Sequence, residues 1–365
     1  MKKNQLFALT TVVTSAIAGG AFAQEACSTY TVQDGDTLPT ISIAALGTSN
    51  YQAIYNANRT IVSNPNDLQV GMVLAIPCAD GSLPNGLSAD EIIAEAEQSF
   101  QNSRTSQAYQ PPIRMVTASG WPPFGEESMN GGGLLPRLVT TALRRAGNDR
   151  EFSLSWVDDW NAHLDSLLPI GAFDVSIGWD MPDCTNTSYE WSWETEARCS
   201  QLQASVSFYD VVVGYFTRPD SPYAEATSLD DYMGATICRM DGWFIHDLEE
   251  AGLRAPAITL IQPLTPQECL DAVLTGQADI ATYEAQIFED TKAEMGLTTK
   301  DIVENPFVSG VSKMQLVVHN SNEHGTQYLE MLNAGLREMQ ESGEWYAIIS
   351  DSLNEHNNNL LQASN

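Results

Sequence analysis

The chain has 365 residues and a formal net charge of -30, from 47 acidic and 17 basic residues. A charge of this sign and size repels nucleic acids and anionic membrane surfaces, which excludes both as partners. At roughly 150 residues per domain, the length predicts two or three domains.

The first 23 residues have the pattern of a cleavable signal peptide. Lys2 and Lys3 precede an apolar run over residues 6–18, and the small-x-small sequence Ala21-Phe22-Ala23 follows. A transmembrane helix needs roughly 20 apolar residues, so this run is too short to favour an uncleaved membrane anchor. We therefore expect cleavage after Ala23, location in the periplasm and no membrane insertion.

The cysteine pattern agrees with export. The chain has six cysteines, and an even number in an oxidising compartment indicates disulfide bonds. No two of them form a Cys-x-x-Cys pair, and the five histidines are scattered, which disfavours a structural zinc site. We expect disulfides, no metal and no cofactor.

A change of composition separates a small N-terminal module, residues 24–79, from a large C-terminal one. Residues 80–111 are mostly polar and contain Gly, Pro, Ser and Gln. Within them, Ser88 and Glu91 have the spacing of a capping box, which predicts a helix that runs to about Phe100. We interpret this stretch as a linker that carries one short helix.

The large module alternates short apolar strands with helical patterns. Strands are predicted over residues 113–117, 152–156, 173–178, 211–216, 235–239, 258–261, 279–283 and 314–318. Helices are predicted over residues 134–146, 160–168, 244–251, 266–275 and 325–339. This βαβ alternation is typical of α/β proteins with a mostly parallel sheet. Two similar α/β units joined by two crossing strands predict two lobes with a cleft between them.

The N-terminal module has a recognisable motif over residues 30–77. The residues that carry it are Tyr30, Val32, Gly35, Asp36, Thr37, Asn58, Pro65, Leu68, Gly71, Leu74, Ile76 and Pro77. This pattern resembles the LysM peptidoglycan-binding module. The resemblance implies a βααβ fold that binds N-acetylglucosamine chains in a groove.

The same resemblance implies which residues line the groove. They lie in the loop at residues 35–38 and the loop at residues 61–66, and the candidates are Gly35, Asp36, Thr37, Ile61 and Asn64. Asp36 and Thr37 have an alternative role, because either residue suits the amino-terminal cap of the first helix. Since the two strands of this fold are adjacent, the flanking Cys27 and Cys78 are expected to form a disulfide.

Residues 113–353 carry a second set of motifs. They are Gly120-Trp-Pro-Pro-Phe124, Ile170-Gly-Ala-Phe-Asp-Val175, Thr195-Glu-Ala-Arg198, Ala204-Ser-Val-Ser-Phe-Tyr209, Leu274-Thr-Gly-Gln-Ala-Asp279 and Gly343-Glu-Trp345. In order and spacing they resemble the family 3 extracellular solute-binding proteins, the polar amino acid receptors of ABC importers. The resemblance implies a solute-binding domain with a cleft between two lobes that contain two mixed, mostly parallel sheets. The expected bounds are residues 112–215 and 320–353 for the first lobe, 216–319 for the second, and 354–365 for a polar tail.

The family resemblance also implies a binding mode for a zwitterion. Arg198 would hold a carboxylate by two parallel hydrogen bonds, and Glu284 would hold an ammonium group from the second lobe. Trp121 would pack against the ligand. Each residue also has a plain structural reading, as a surface arginine, a solvated loop acid or a core tryptophan.

The sequence departs from the family pattern where specificity is decided. Ala118 replaces an acid, Gly178-Trp179-Asp180 replaces a hydroxyl pair, and Trp243-Phe244 replaces a second one. An insertion over residues 181–194 precedes Arg198. Trp121, Trp179 and Trp243 would then form an aromatic cage for a cation or a sugar face, with Asp180 supplying charge.

Two further cysteine pairs follow from this assignment. Cys184 and Cys199 flank the insertion, and Cys238 and Cys269 lie on neighbouring elements of the second lobe. We expect both pairs to be disulfides.

The sequence favours a binding protein over an enzyme, and we expect no catalytic residue. The predicted function is a monomeric periplasmic receptor for a small polar or cationic solute, held at peptidoglycan and serving an ABC-transporter permease. A degenerate receptor that acts as an accessory or scaffold protein is the alternative. A dehydratase on the same fold is less favoured, since only Asp180, Glu284 and His246 offer an acid and base.

Overall fold

The computed structural model describes residues 27–78, 88–103, 111–147, 150–186 and 190–363. The predicted signal peptide and its cleavage site therefore lie outside the described residues. The helices are α1 (Leu38–Leu46), α2 (Gln52–Asn58), α3 (Ala89–Ser103), α4 (Leu134–Arg145), α5 (Trp160–Ala162), α6 (Trp193–Gln201), α7 (His246–Glu250), α8 (Pro266–Thr275), α9 (Ala285–Glu294), α10 (Gly325–Ser342) and α11 (Glu344–Ala363). The strands are β1 (Ser28–Thr31), β2 (Val73–Ile76), β3 (Ile113–Thr117), β4 (Phe152–Trp156), β5 (Val175–Trp179), β6 (Leu202–Ala204), β7 (Tyr209–Thr217), β8 (Thr236–Cys238), β9 (Thr259–Ile261), β10 (Ile280–Glu284) and β11 (Val303–His319).

The N-terminal module has the predicted βααβ fold. Strands β1 and β2 pair antiparallel, and helices α1 and α2 lie between them in the chain. Thr37 caps α1, since its hydroxyl accepts a hydrogen bond from the Thr40 backbone, and Gly47 ends the helix in the left-handed conformation. The Cys27–Cys78 disulfide joins the outer ends of the two strands.

The large module has two lobes that share two long strands. Among the described residues its nine-stranded sheet runs in the order β4-β3-β5-β11-β7-β10-β8-β9, with β6 also paired to β11. The outer pairs in each half are parallel, whereas β7 and β11 are antiparallel to each other and to their neighbours. The two predicted sheets are thus continuous, because β7 and β11 pass from one lobe to the other.

Each lobe has its own apolar core. In the first lobe, helices α4, α10 and α11 cover the sheet with a cluster that includes Leu138, Leu332 and Ile348. The second lobe has two clusters around β8 and β10, which include Val273 and Ile237. Separate cores joined by two strands allow the lobes to move as units.

Several elements differ from the sequence prediction. Strand β11 begins at Val303, not at residue 314, because a bulge between Glu304 and Ser309 interrupts the pairing and conceals the pattern. Helices α6, α9 and α11 were not predicted. The expected polar tail from residue 354 is wrong within the described residues, since α11 continues to Ala363 and buries His356 against Asp290 of α9.

The linker helix belongs to the first lobe. Helix α3 reaches Ser103, beyond the predicted end, and packs along α11. Ala89 and Ile92 join the first-lobe core, and Glu97 accepts a hydrogen bond from Arg145 of α4. Apolar burial and this ion pair hold the helix in place, while the flanking linker residues 79–87 and 104–110 lie outside the described part of the chain.

The contact between α10 and α4 allows a first prediction. A Cβ added at Gly335 would lie 1.6 Å from the Ala142 carbonyl oxygen, so Gly335→Ala must push the two helices apart. We expect a loss of about 1–3 kcal/mol or more in the free energy of unfolding, measured by urea denaturation. Gly310→Ala is the control, because its Cβ would meet only an ordinary 3.7 Å contact. Equal stability of both variants would contradict this packing.

Candidate functional site

A cavity of about 660 Å³ lies between the lobes. Its lining is aromatic and acidic on both sides. The residues that define it here are Trp121, Asp158, Asp159, Trp160, Trp179, Asp180, Arg198, Asp241, Trp243, Phe244 and Glu284.

The first lobe contributes three tryptophans that meet edge to face. Trp121 follows β3, in a tight turn where its backbone pairs with Gly125. The ring of Trp160 lies 5.7 Å from that of Trp121 and 5.4 Å from that of Trp179, centre to centre. The Trp179 indole N–H donates to the Ser176 hydroxyl at 2.7 Å, and this hydrogen bond fixes the orientation of the ring.

The second lobe contributes Trp243, on the loop that follows β8. The buried Arg239 holds this loop, donating to the Phe244 carbonyl at 2.9 Å and forming an ion pair with Asp247. The Trp243 ring lies 6.4 Å from the Trp121 ring of the other lobe. The aromatic wall therefore continues across the cleft.

Glu284 ends β10 at the base of the cleft. Its side chain is 2% exposed, and among the described residues no group donates a hydrogen bond to its Oε2 atom. Burial raises the pKa of the Glu284 carboxyl from 4.5 to about 8, although Arg239 opposes the shift. Glu284 is therefore a buried acid that lines the cavity and has one carboxyl oxygen without a donor among the described residues.

Arg198 and Asp180 lie together on the first-lobe side. The Arg198 guanidinium lies 5.2 Å from the Trp179 ring centre and donates to the Asp180 carbonyl at 3.0 Å. The Asp180 carboxylate lies 3.5 Å from His246 Nε2 of the second lobe. Burial lowers the pKa of Arg198, while Asp180 and Glu249 raise it. Nearby carboxylates of the protein thus offset part of the cost of burying its charge.

The insertion before Arg198 reaches across to the second lobe. The Cys184–Cys199 disulfide ties it to α6. Glu249, a buried residue of α7, accepts hydrogen bonds from the Ser192 backbone at 3.0 Å and the Thr195 hydroxyl at 2.8 Å. These bonds close one side of the cleft.

The structure brings the six predicted cleft residues around one cavity. Trp121, Trp179, Asp180, Arg198, Trp243 and Glu284 all line it. Sequence reasoning missed the acidic pair Asp158-Asp159 and the adjacent Trp160. Their position directly after β4, at the carboxyl end of a parallel strand, was the signal that pointed to them.

The two loops predicted to line a glycan groove lie on the N-terminal module. Gly35, Ile61 and Asn64 are exposed, with Ile61 at 52%. The Asp36 carboxylate instead accepts hydrogen bonds from the Tyr30 hydroxyl and the Gln33 backbone, at 2.9 and 2.7 Å. With Thr37 capping α1, Asp36 and Thr37 have structural roles here, whereas the two loops present an apolar and amide surface.

Residues 30–77 match the LysM domain family. No curated protein matches the chain. The LysM domain is followed by the two-lobed module, for which solved structures give similarities of overall form. The six cysteines form the three predicted pairs Cys27–Cys78, Cys184–Cys199 and Cys238–Cys269.

Three solved structures illustrate the similarity of the two-lobed module. A mutant of ArgBP from T. maritima has a TM-score of 0.48 and 18% identity, and the match covers 72% of this chain and 99% of that one. The substrate binding protein of an amino acid ABC transporter has a TM-score of 0.46, 20% identity, and coverage of 66% and 97%. An ancestral arginine-binding protein bound to arginine has a TM-score of 0.49, 17% identity, and coverage of 66% and 97%.

None of the helices in the described ranges is both long and apolar enough to cross a membrane. The residues of the cleft, and not these similarities, carry the functional proposal that follows.

The buried carboxyl predicts a pH dependence of stability. Folded Glu284 keeps its proton up to about pH 8, whereas the unfolded group releases it near its ordinary pKa of 4.5. The native state thus binds more protons in this window, and stability must fall as pH rises from about 5 to 8. We expect Glu284→Gln to remove this part of the slope, at most about 1.4 kcal/mol per pH unit. Urea denaturation at several pH values measures it, and parallel profiles for both proteins would contradict it.

Proposed function

We propose that this protein is an exported, non-catalytic receptor for a small cationic solute, retained at the cell wall by its LysM domain. The observation that carries the proposal is the buried Glu284 carboxyl, whose Oε2 atom has no hydrogen-bond donor among the described residues, in a cavity walled by tryptophans. A buried acid without a partner is costly unless a ligand supplies the missing donor or charge.

The charge balance of the cleft favours a cation. Among the described residues that line it, five carry carboxyl groups and one, Arg198, carries a guanidinium. That guanidinium already stacks on Trp179 and lies beside Asp180. A ligand carboxylate would therefore meet mostly negative charge, whereas an ammonium or guanidinium group would be attracted.

The aromatic walls suit the same ligand. Trp121 and Trp243 meet edge to face from opposite lobes, and the Trp121 indole N–H has no acceptor within the described part of the chain. Tryptophan faces attract cations and also cover flat apolar groups. A ligand placed between the lobes would touch both rings and favour the closed arrangement.

The LysM domain and the two-lobed module together suggest how the protein is retained at the wall and how it delivers its solute. The LysM match supports binding to peptidoglycan, and the signal-peptide pattern supports a periplasmic location. A two-lobed receptor there would hand its solute to an ABC-transporter permease. The bridge from the insertion to Glu249 would stabilise the closed, loaded form.

Solute binding has a direct test by thermal shift. We expect arginine, choline or putrescine to raise the melting temperature at pH 8, whereas glutamate does not, because its net negative charge is repelled by the carboxyl groups of the cleft. Glu284→Gln should weaken binding about 10- to 100-fold, which corresponds to roughly 1.5–3 kcal/mol for a charge-assisted bond. Glu330→Gln, an exposed acid on α10, is the matched control.

A melting temperature that no cationic solute raises would sink the receptor proposal. If a protein partner were then captured in a pull-down, the result would favour the scaffold role instead.

The LysM assignment predicts the effect of one substitution in the groove. Ile61→Asp places a charge on an exposed apolar residue of a groove loop, and we expect severalfold less protein to sediment with purified peptidoglycan. Val70→Asp is the matched control, because Val70 is 67% exposed on the same module but lies outside both groove loops. Equal sedimentation of the two variants would refute the placement of the groove.

A further inference from the structure

The LysM domain packs directly on the strands that join the lobes. Its apolar core contains Val212 of β7, which is fully buried, and Val311 of β11 packs against the same cluster. Val212 and Val311 are paired residues of the two shared strands. The N-terminal domain is therefore seated on the hinge of the receptor.

Gln52 makes the most specific contact in this interface. Its amide donates to the Asp210 carbonyl at 2.6 Å and accepts from the Val212 backbone N–H at 2.8 Å. Strand β10 pairs with β7 only from Val213 onward, where Val213 is opposite Glu284. The Gln52 amide thus continues the hydrogen bonding of β7 next to the point where β10 ends at the cleft carboxyl.

The adjacent LysM residues contact the second lobe. Asn50 donates to the Gln286 side chain, two residues beyond Glu284 at the start of α9. The Tyr51 hydroxyl donates to Glu304 of β11 at 2.9 Å. Both contacts are to elements that leave the hinge on the second-lobe side.

Other LysM residues contact the first lobe and the hinge itself. The Arg59 guanidinium lies 4.9 Å from the Trp345 ring centre, in α11. Asn66, from one of the groove loops, exchanges two hydrogen bonds with Ser309 at the bulge of β11, at 3.0 and 3.1 Å. One rigid domain therefore holds both lobes and both shared strands.

Opening the cleft must bend or twist β7 and β11, since these strands connect the two cores. Contacts that fit one lobe angle better than another shift the population toward that angle. We propose that the LysM domain is a brace on the hinge, and that Asn50 and Gln52 are positioning residues which fix the lobe angle and the place of Glu284. The effect on lobe angle stands by itself, whereas any effect on solute affinity rests on the proposed function.

The test measures the distance between the lobes in the full chain. Spin labels linked through p-acetylphenylalanine at Ile170 and Lys300, exposed positions in different lobes, leave the disulfides intact. Pulsed electron resonance then reports the distance distribution without added solute. We expect a narrow distribution for the parent protein and a broader, shifted one for Gln52→Ala, and more so for Asn50→Ala with Gln52→Ala.

Gln69→Ala is the control, since it is an exposed glutamine of the same module, and we expect it to keep the parent distribution. A circular dichroism spectrum and a cooperative urea transition like those of the parent protein show that each variant is still folded. Should the double variant fail to fold, Tyr51→Phe removes only the hydroxyl, which contacts Glu304 and Ser309 of β11, and is expected to broaden the distribution by itself.

If the folded double variant keeps the distance distribution of the parent protein, the brace proposal is wrong. Where the double variant does not fold, the same result for Tyr51→Phe would overturn the proposal. If the parent protein does not sediment with peptidoglycan, retention at the wall is wrong. The distance measurement remains valid in that case. Solute affinity that stays constant while the distances change would limit the brace to the lobe angle.

Discussion

The two lobes share β7 and β11, and the rest of the molecule depends on this connection. Because both strands pass between separate apolar cores, the cavity must form where the neighbouring strands end, and β10 places Glu284 there. The same strands supply the surface on which the LysM domain is seated. The candidate solute site and the LysM domain therefore contact the same strand, β7, within a residue or two of each other.

The cleft contains a carboxyl group, that of Glu284, whose charge is costly to bury. Glu284 is held in a site where its ionised form is disfavoured, and burial raises the pKa of this carboxyl to about 8. Arg239 offsets part of this cost but is itself committed to Asp247. A cation in the cavity would relieve this cost, and the tryptophan faces around it would attract the same group.

The sequence allowed much of this to be predicted, for local reasons. Regular spacing located β3, β4 and α8 closely, and the six cleft residues were placed by motif position. The burial of Glu284 could not be predicted, since it depends on how far β7 and β11 extend beyond β10. Only residues 314–318 of β11 were predicted, because a bulge between Glu304 and Ser309 breaks the alternation of its earlier part.

The hinge interface was also beyond sequence reasoning. Gln52 and Asn56 lie on a helix of the small module, and a buried amide gives no periodic signal in the sequence. Only the three-dimensional arrangement shows that their partners are backbone groups of β7. In the same way the tail, polar in sequence, is helical, and its His356 contacts Asp290 of the other lobe.

The most direct measurement of the central claim counts the protons released when a cationic solute binds. Calorimetric titration at pH 7 in two buffers of different ionisation enthalpy gives this number for the solute that raises the melting temperature most. We expect the parent protein to release about one proton and Glu284→Gln to release none, because the bound cation must ionise the Glu284 carboxyl. Binding by the parent protein without proton release would contradict it.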